Sequence, residues 1–263
     1  MSDSRMVVVT GATGGIGRAV CLRLAQDGYD IVVQYASNHE KAEALQREIS
    51  DLGRTATILQ VDLTDDTQQI RFIETVQDLL HTDSQYSLAG LVNNAAKLLG
   101  PSFENATTEH FEAYFALNTR APFFLAQGLS RLMSEGGSIV NVSSVATKFS
   151  SSGDIIYAMS KAALEALTFH AAEVLATRRI RINTVLPGFT DNGHQAFRDP
   201  RARGFMSSFA ALGDVAQPET VAEAVAFLIS NSSARTTGSL LDVSGGSALG
   251  RRAAEGSITS LLG

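Results

Sequence analysis

The sequence is poor in several things, and each shortage closes a door. It contains one cysteine, Cys21, so an intrachain disulfide is excluded; the thiol lies in an apolar helical stretch and reads as a core residue. It has no basic run, and its formal net charge is −6. Binding to nucleic acid needs a cationic face that neutralises phosphates, so that class of partner is set aside. No segment reaches the roughly 18 uninterrupted apolar residues of a membrane span. Met1-Ser2-Asp3-Ser4-Arg5 carries no apolar leader. Together these indicate a soluble, cytoplasmic protein without a membrane partner. No linker, repeat or low-complexity tract divides the chain. With 263 residues, 44% hydrophobic and 18% charged, it reads as one domain over 1–263. Its core would run from about 6 to 246, with a substrate lid at 190–210 and a C-terminal tail at 250–263.

What the chain does have is alternation. Met6-Val7-Val8-Val9 is a short apolar run, as in a strand covered on both faces. A glycine turn follows, then the helical pattern Ala19, Val20, Leu22, Leu24, Ala25, then Ile31-Val32-Val33. Strand, turn, helix and strand make a βαβ unit, which builds parallel sheets. Helices are expected at 39–51, from about Asp66 to Leu80, from Glu109 to Met133 with a kink or break at Pro122, through Tyr157 to about Thr177, and from Val221 to Ile229. Strands are expected at 56–61, 88–92, 138–142, 180–186 (stopped by Pro187-Gly188) and 239–243. The segment from Thr190 to about Gly204 is polar and shows little periodicity. The fold class is therefore α/β, a single Rossmann-like, doubly wound parallel sheet of about seven strands with helices on both faces.

In such a sheet ligands bind beyond the carboxyl ends of the strands, and the polar motifs of this chain gather there. Gly11-x-x-x-Gly15-x-Gly17 lies between the first strand and the first helix. Glycines permit a sharp turn and close approach of a pyrophosphate, and the helix N-terminus offers free N–H groups. After the second strand, Ala36 and Ser37 stand where a carboxylate would bind the ribose hydroxyls of NAD. Without that repulsion Ser37, Asn38 and Lys41 or His39 would accept a 2′-phosphate, which favours NADP(H) and leaves NAD(H) possible. Asp62 would accept the adenine amino group or cap the next helix. Asn94 would bring backbone near the nicotinamide ribose or simply close a turn. Tyr157 and Lys161 stand four apart on one helical face; an ammonium beside a phenol lowers its pKa from about 10, so that it exchanges a proton with a carbonyl oxygen.

Thr10-Gly11-x-x-x-Gly15-Ile16-Gly17, Asn93-Asn94-Ala95-Ala96, Ser144 thirteen residues before Tyr157-x-x-x-Lys161, and Pro187-Gly188 occur together and in order. In this ordered set the chain resembles the short-chain dehydrogenase/reductase family, and most of all its 3-oxoacyl-carrier-protein reductase branch. The resemblance spans about Met6 to Gly246. It implies a catalytic set of Asn118, Ser144, Tyr157 and Lys161. Tyr157 would protonate the substrate oxygen as hydride arrives, Lys161 would lower its pKa and hold the nicotinamide ribose, Ser144 would orient the oxygen, and Asn118 would hold a water for proton relay. The implied cofactor set is Gly11, Thr13, Gly14, Gly15, Ile16 and Gly17 at the turn, Ser37 and Asn38, then Asp62 and Leu63, then Asn94, Ala95 and Ala96. Tyr157, Lys161, Pro187, Gly188 and Thr190 complete it. No metal is implied.

The chain departs from the family pattern at four places. Ala96 replaces a glycine. Gly14 replaces a basic residue of NADP-preferring members. Asn192 occupies the usual threonine position, with Thr190 nearer. Of two arginines associated with carrier-protein docking, Arg178 matches one and Glu135 replaces the other.

The expected function is NADP(H)-preferring reduction of a ketone on a 3-oxoacyl or polyketide-like substrate, free or bound to a carrier protein or CoA. An NAD-dependent alcohol or sugar dehydrogenase is the alternative, and a non-catalytic nucleotide-binding regulator stands behind it. The resemblance implies a homotetramer or homodimer. The basic residues of the lid, including His194, Arg198, Arg201 and Arg203, would face solvent or meet an anionic group on the substrate.

Overall fold

A computed structural model describes residues 4–82, 86–98, 100–150, 154–193 and 195–249. Seven strands lie in the order β3-β2-β1-β4-β5-β6-β7, every neighbouring pair parallel. They are β1 (Ser4–Val9), β2 (Asp30–Tyr35), β3 (Ala56–Gln60), β4 (Tyr86–Asn93), β5 (Met133–Val142), β6 (Arg181–Pro187) and β7 (Leu240–Val243). The order reverses between β1 and β4, and this opens a crevice at their carboxyl ends.

The all-apolar strands are all-apolar because both faces are covered. Along β1, Val7 and Val9 join one core cluster and Val8 the other, the alternation of a pleated strand. The first cluster packs the sheet against α1 (Gly15–Gln26), α2 (His39–Asp51) and α8 (Pro218–Ile229), through residues such as Leu24, Leu45 and Val225. The second packs it against α3 (Asp66–Thr82), α5 (Ala121–Ser130) and α6 (Ile155–Ala176), through Phe72, Leu125 and the flanking Ala171 and Ala172. Each such side chain contributes about 1.5–3 kcal/mol by leaving water. Among the described residues no helix is long and apolar enough to cross a membrane.

The structure departs from the expected elements in three places. The region expected to be one helix from Glu109 to Met133 is α4 (Thr108–Phe115), a π-helical turn over Ala116–Arg120, and α5. The break comes one turn ahead of Pro122, which sits in the first turn of α5, where a missing N–H costs little. Ala121 N–H reaches Ala116 C=O across the wide turn, and this turn carries Asn118. Met133 lies beyond the helix and pairs with Leu88. The aperiodic lid segment contains a 3₁₀ turn over Gln195–Arg198 and a helix, α7 (Pro200–Ser207), capped by the Asp199 side chain on Arg201 N–H. Its polarity hid it, because α7 has no buried residue. Pro187, expected to stop β6, is instead its last residue, opposite Val243. His194 and the tail from 250 lie outside the described residues.

Candidate active site

The glycine turn is shaped by its neighbours. Gly11 has φ +60°, and a Cβ there would come within 2.8 Å of Ala95 Cα. A Cβ on Gly17 would meet Gly11 O at 2.3 Å, and one on Gly15 would meet Asn192 Cα at 2.8 Å. Three chain segments therefore converge where only glycine fits. Thr10 ties the turn to the end of β4: its Oγ1 accepts from Asn94 N and Ala95 N, and the Asn94 side chain donates to Thr10 O and Gly11 O. Gln34, buried at the end of β2, accepts from Gly11 N and donates to Val61 O. Gly14 N-caps α1 with no side-chain hydrogen bond, and no acidic residue stands in the first turn. The positive end of α1 thus faces the crevice without an internal counter-charge, which suits a pyrophosphate.

At the end of β2, Ser37 is exposed, and Asn38 accepts from Lys41 N as the cap of α2. His39 is engaged on both ring nitrogens, by the Tyr35 hydroxyl at 2.6 Å and by Glu43 at 3.3 Å. Asp62 accepts from Thr64 N and Thr64 Oγ1, and the capping of α3 falls to Asp65, which accepts from Gln68 N. Asp62 is therefore not the helix cap. The Leu63 side chain is buried in the core, so only its backbone faces the strand ends.

The chemical centre lies where β5 meets α6. Ser144 ends β5 in extended conformation and caps a 3₁₀ turn over Val145–Thr147, accepting from Ala146 N. Tyr157, in the first turns of α6, lies beside it. Lys161, one turn on, is buried and donates to Val142 O at 2.7 Å. Its Nζ lies 5.9 Å from the centre of the Tyr157 ring.

The electrostatics differ from the expectation. Burial pushes Tyr157 up to about 12, and the Ser144 hydrogen bond is the interaction that pulls it back; Asp154 and Tyr114 raise it further. Lys161 is not what lowers the phenol. Burial instead drives Lys161 itself down to about 7. Tyr157 is accordingly a protonated donor at neutral pH, the form that gives a proton rather than takes one.

Asn118 is fully buried with its amide committed. Its Oδ1 accepts from Lys97 N at 2.8 Å, and its Nδ2 donates to Lys97 O and Ser160 Oγ. The side chain thus joins the end of β4 to α6; both Nδ2 hydrogens are used, and Oδ1 keeps one further acceptor position. Glu165, one turn beyond Lys161, was not expected at the site. It accepts from Ser143 Oγ at 2.8 Å and Thr147 Oγ1 at 2.7 Å, and pairs with Lys148 at 2.5 Å. Three groups that bracket Ser144 are held by one buried carboxylate.

The loop after β6 closes the crevice. Gly188 packs on Ser244, and Thr190 turns its hydroxyl back onto Gly188 O. Asn192 is the residue of this loop that reaches the glycine turn, so between the two it is the better placed toward a group bound at the turn. Paired backbone bonds from Asp191 to Ala216 and from Ala216 to Phe189 anchor the loop. Arg203 of α7 binds Asp191 and Asp214, and so is not offered to a substrate anion. Arg178 turns both outer nitrogens onto Ser130 O and Met133 O, while Glu135 pairs with Arg179 at 3.6 Å.

The match with known proteins follows this geometry. A family model described as enoyl-(acyl carrier protein) reductase matches residues 11–248. An uncharacterised oxidoreductase of Methylorubrum extorquens is 34% identical over 248 residues, covering 93% of this chain and 98% of the relative. The chain belongs to the short-chain dehydrogenase/reductase family. Among solved structures, the angucycline C-6 ketoreductase LanV with bound NADP is 36% identical at a TM-score of 0.90, with 95% of this chain and 98% of LanV covered. The promiscuous reductase LugOII, which catalyses keto-reduction at C1 during lugdunomycin biosynthesis, is 35% identical at a TM-score of 0.89, with 94% and 100% covered.

As a short-chain dehydrogenase/reductase the chain is an oxidoreductase, and its motif residues fall into two groups. Ser144, Tyr157, Lys161 and Asn118 come together at β5 and α6, and the glycine turn meets Asn94 and Ala95 at the β1–β4 reversal. Gln34 and Glu165 were missed by sequence reasoning, and Asn192, left open there against Thr190, is the one that packs on the glycine turn. Gln34 did carry a signal, as a polar residue inside the otherwise apolar run Ile31-Val32-Val33-Gln34-Tyr35. Glu165 is indistinguishable by spacing from a solvated helix residue.

Proposed function

We propose that this protein reduces the ketone of a small molecule to an alcohol, with NADPH preferred over NADH. The observation that carries the reading is that Ser144, after β5, and Tyr157, in the first turns of α6, come together beside buried Lys161, whose Nζ lies 5.9 Å from the centre of the Tyr157 ring. Two hydroxyls meet at one point, and one of them belongs to a phenol that holds its proton at neutral pH. A carbonyl oxygen placed there accepts from both; Ser144 orients it and Tyr157 supplies the proton.

The cradle made by Gly11, Gly15 and Gly17 and the uncapped end of α1 fit a dinucleotide pyrophosphate. Thr13, Gly14 and Ile16 offer backbone at the same turn, Asn94, Ala95 and Ala96 line the β4 end, and Pro187 and Gly188 line the β6 end. Ser37 and Asn38, with no carboxylate at the end of β2, fit a 2′-phosphate, and Asp62 and Leu63 border the adenine side. When bound, a reduced nicotinamide supplies the hydride. Lys161 holds charge near the ribose and near Tyr157; Asn118 acts by fixing the β4 end against α6.

Hydrogen bonds to the carbonyls of Ser130 and Met133 leave Arg178 poorly disposed to a carrier protein, and Glu135 would repel an acidic one. A free ketone is therefore preferred over a carrier-bound 3-oxoacyl thioester, although the family match is described as an acyl-carrier-protein reductase. The ketoreductases LanV and LugOII support the same choice.

Titration by nicotinamide fluorescence tests the cofactor: tighter NADPH binding is expected, and a strong NADH preference would overturn it. Assembly as a homotetramer or homodimer is supported by unburied apolar groups on two faces. One is α4 and α6, with Phe111 stacked on Phe115 and Phe169 70% exposed; the other is the β7 edge with α8, at Leu240 and Phe227. Sedimentation as a monomer would refute it.

A further inference from the structure

Four phenylalanines from three separate segments meet beside the candidate site. Phe149 lies five residues beyond Ser144 on the turn that Ser144 opens. Phe189 directly follows Gly188, and Phe205 and Phe209 come from α7 and the residues after it. Phe209 is the hub, with ring centres at 5.4 Å from Phe149, 5.4 Å from Phe189 and 5.2 Å from Phe205. The Phe189 and Phe205 pairs are edge-to-face and the Phe149 pair is tilted. None of the four is buried: Phe205 is 64% exposed and Phe189 36%, and the other two are half-buried.

A cluster that existed only to pack the lid would bury its rings. This one leaves faces and edges open at the ends of β5 and β6, where a substrate carbonyl must enter to reach Ser144. Aromatic faces and edges prefer another ring at about 4.5–7 Å. The cations bordering the cluster are already neutralised, Lys148 by Glu165 and Arg203 by Asp191 and Asp214. The wall is therefore aromatic and offers no ion pair from these residues.

We propose that Phe149, Phe189, Phe205 and Phe209 form a stacking subsite that selects flat, fused-ring aromatic ketones, with the carbonyl directed to Ser144 and Tyr157. The proposal rests on the reductase reading and narrows its substrate class.

The test compares kcat/KM for 2-tetralone and ethyl acetoacetate, read as NADPH oxidation, in the intact protein and in Phe149→Leu and Phe209→Leu. The wild type prefers the bicyclic ketone. Each substitution lowers kcat/KM for 2-tetralone by about tenfold, mainly through KM, and leaves ethyl acetoacetate within about twofold and NADPH affinity unchanged. Equal wild-type turnover of the two ketones, or an equal loss on both in the variants, overturns the subsite and leaves the reductase reading standing. Oxidation of NADPH by neither ketone overturns both. A variant that melts far below the wild type is replaced by Phe→Tyr at the same position, where the preference for 2-tetralone persists.

Discussion

The corner where β5 meets α6 and the segment from Phe189 to Ala216, which contains the proposed lid at 190–210, are built in opposite ways. In the corner, polar groups are buried and satisfied by one another. Glu165 holds three of them, Asn118 ties its amide to Lys97 and Ser160, and Lys161 reaches Val142 O. Low dielectric makes such a network stiff and costly to disturb. The lid keeps its apolar rings partly in solvent and ties its charges at the surface, with Arg203 bridging Asp191 and Asp214. Such ties are weak and salt-sensitive. On the proposed reading, the difference separates two tasks: the corner fixes the chemistry, and the lid chooses what enters.

The contrast sets an order of expected effects. Tyr157→Phe removes the proton donor and lowers kcat by on the order of 10²–10⁴-fold, with NADPH affinity nearly unchanged in a fluorescence titration. Unchanged turnover would break the assignment. Glu165→Ala removes the carboxylate shared by Ser143, Thr147 and Lys148, leaving the two hydroxyls only Lys161 O and Ser144 O as acceptors. It should lower both kcat and stability, the latter by about 1–3 kcal/mol as for buried polar groups that lose a hydrogen-bond acceptor, since Lys148 itself is exposed. Glu165→Gln keeps an oxygen for the two hydroxyls and should recover part of kcat. A kcat equal to wild type in Glu165→Ala would show that the turn bearing Ser144 holds itself.

A smaller effect comes from Lys161. Burial lowers it from 10.5 to about 7, so the folded protein binds fewer protons than the unfolded chain between those values. Stability therefore rises with pH across that window, and the cost of burying the ammonium is complete below about 7. Lys161→Met should melt higher than wild type at pH 6, with the gap closing toward pH 10. A constant gap would place the lysine charge in solvent. The least is expected of the lid: Arg203→Ala should change Tm little while raising KM a few-fold and weakening its salt dependence.

Legibility from sequence follows the same division. The glycine turn, Ser144, Tyr157 and Lys161 were readable because strand ends and the 3.6-residue helical period place them locally. Seven strands were readable because short runs rich in β-branched and apolar residues alternate with helical patterns and end on turn residues. The π-helical turn at Asn118 was not, since no residue type marks an i→i+5 turn and Pro122 pointed to the wrong place. The direction of the tyrosine pKa was also hidden, because spacing shows that an ammonium is near and does not show how dry the site is. Arg178 matched a docking position in sequence, but its guanidinium is spent on the carbonyls of Ser130 and Met133. Glu165 and the four phenylalanines act through contacts between distant segments, which no local pattern records.

The central claim is that hydride goes to a carbonyl carbon while Tyr157 protonates the oxygen. An α,β-unsaturated ketone such as 4-phenyl-3-buten-2-one, offered with NADPH deuterated at the transferable C4 position, tests this directly. Mass and NMR analysis of the product should find deuterium on the carbinol carbon. Deuterium on the carbon β to an intact ketone would contradict the account and make the protein an enoyl reductase.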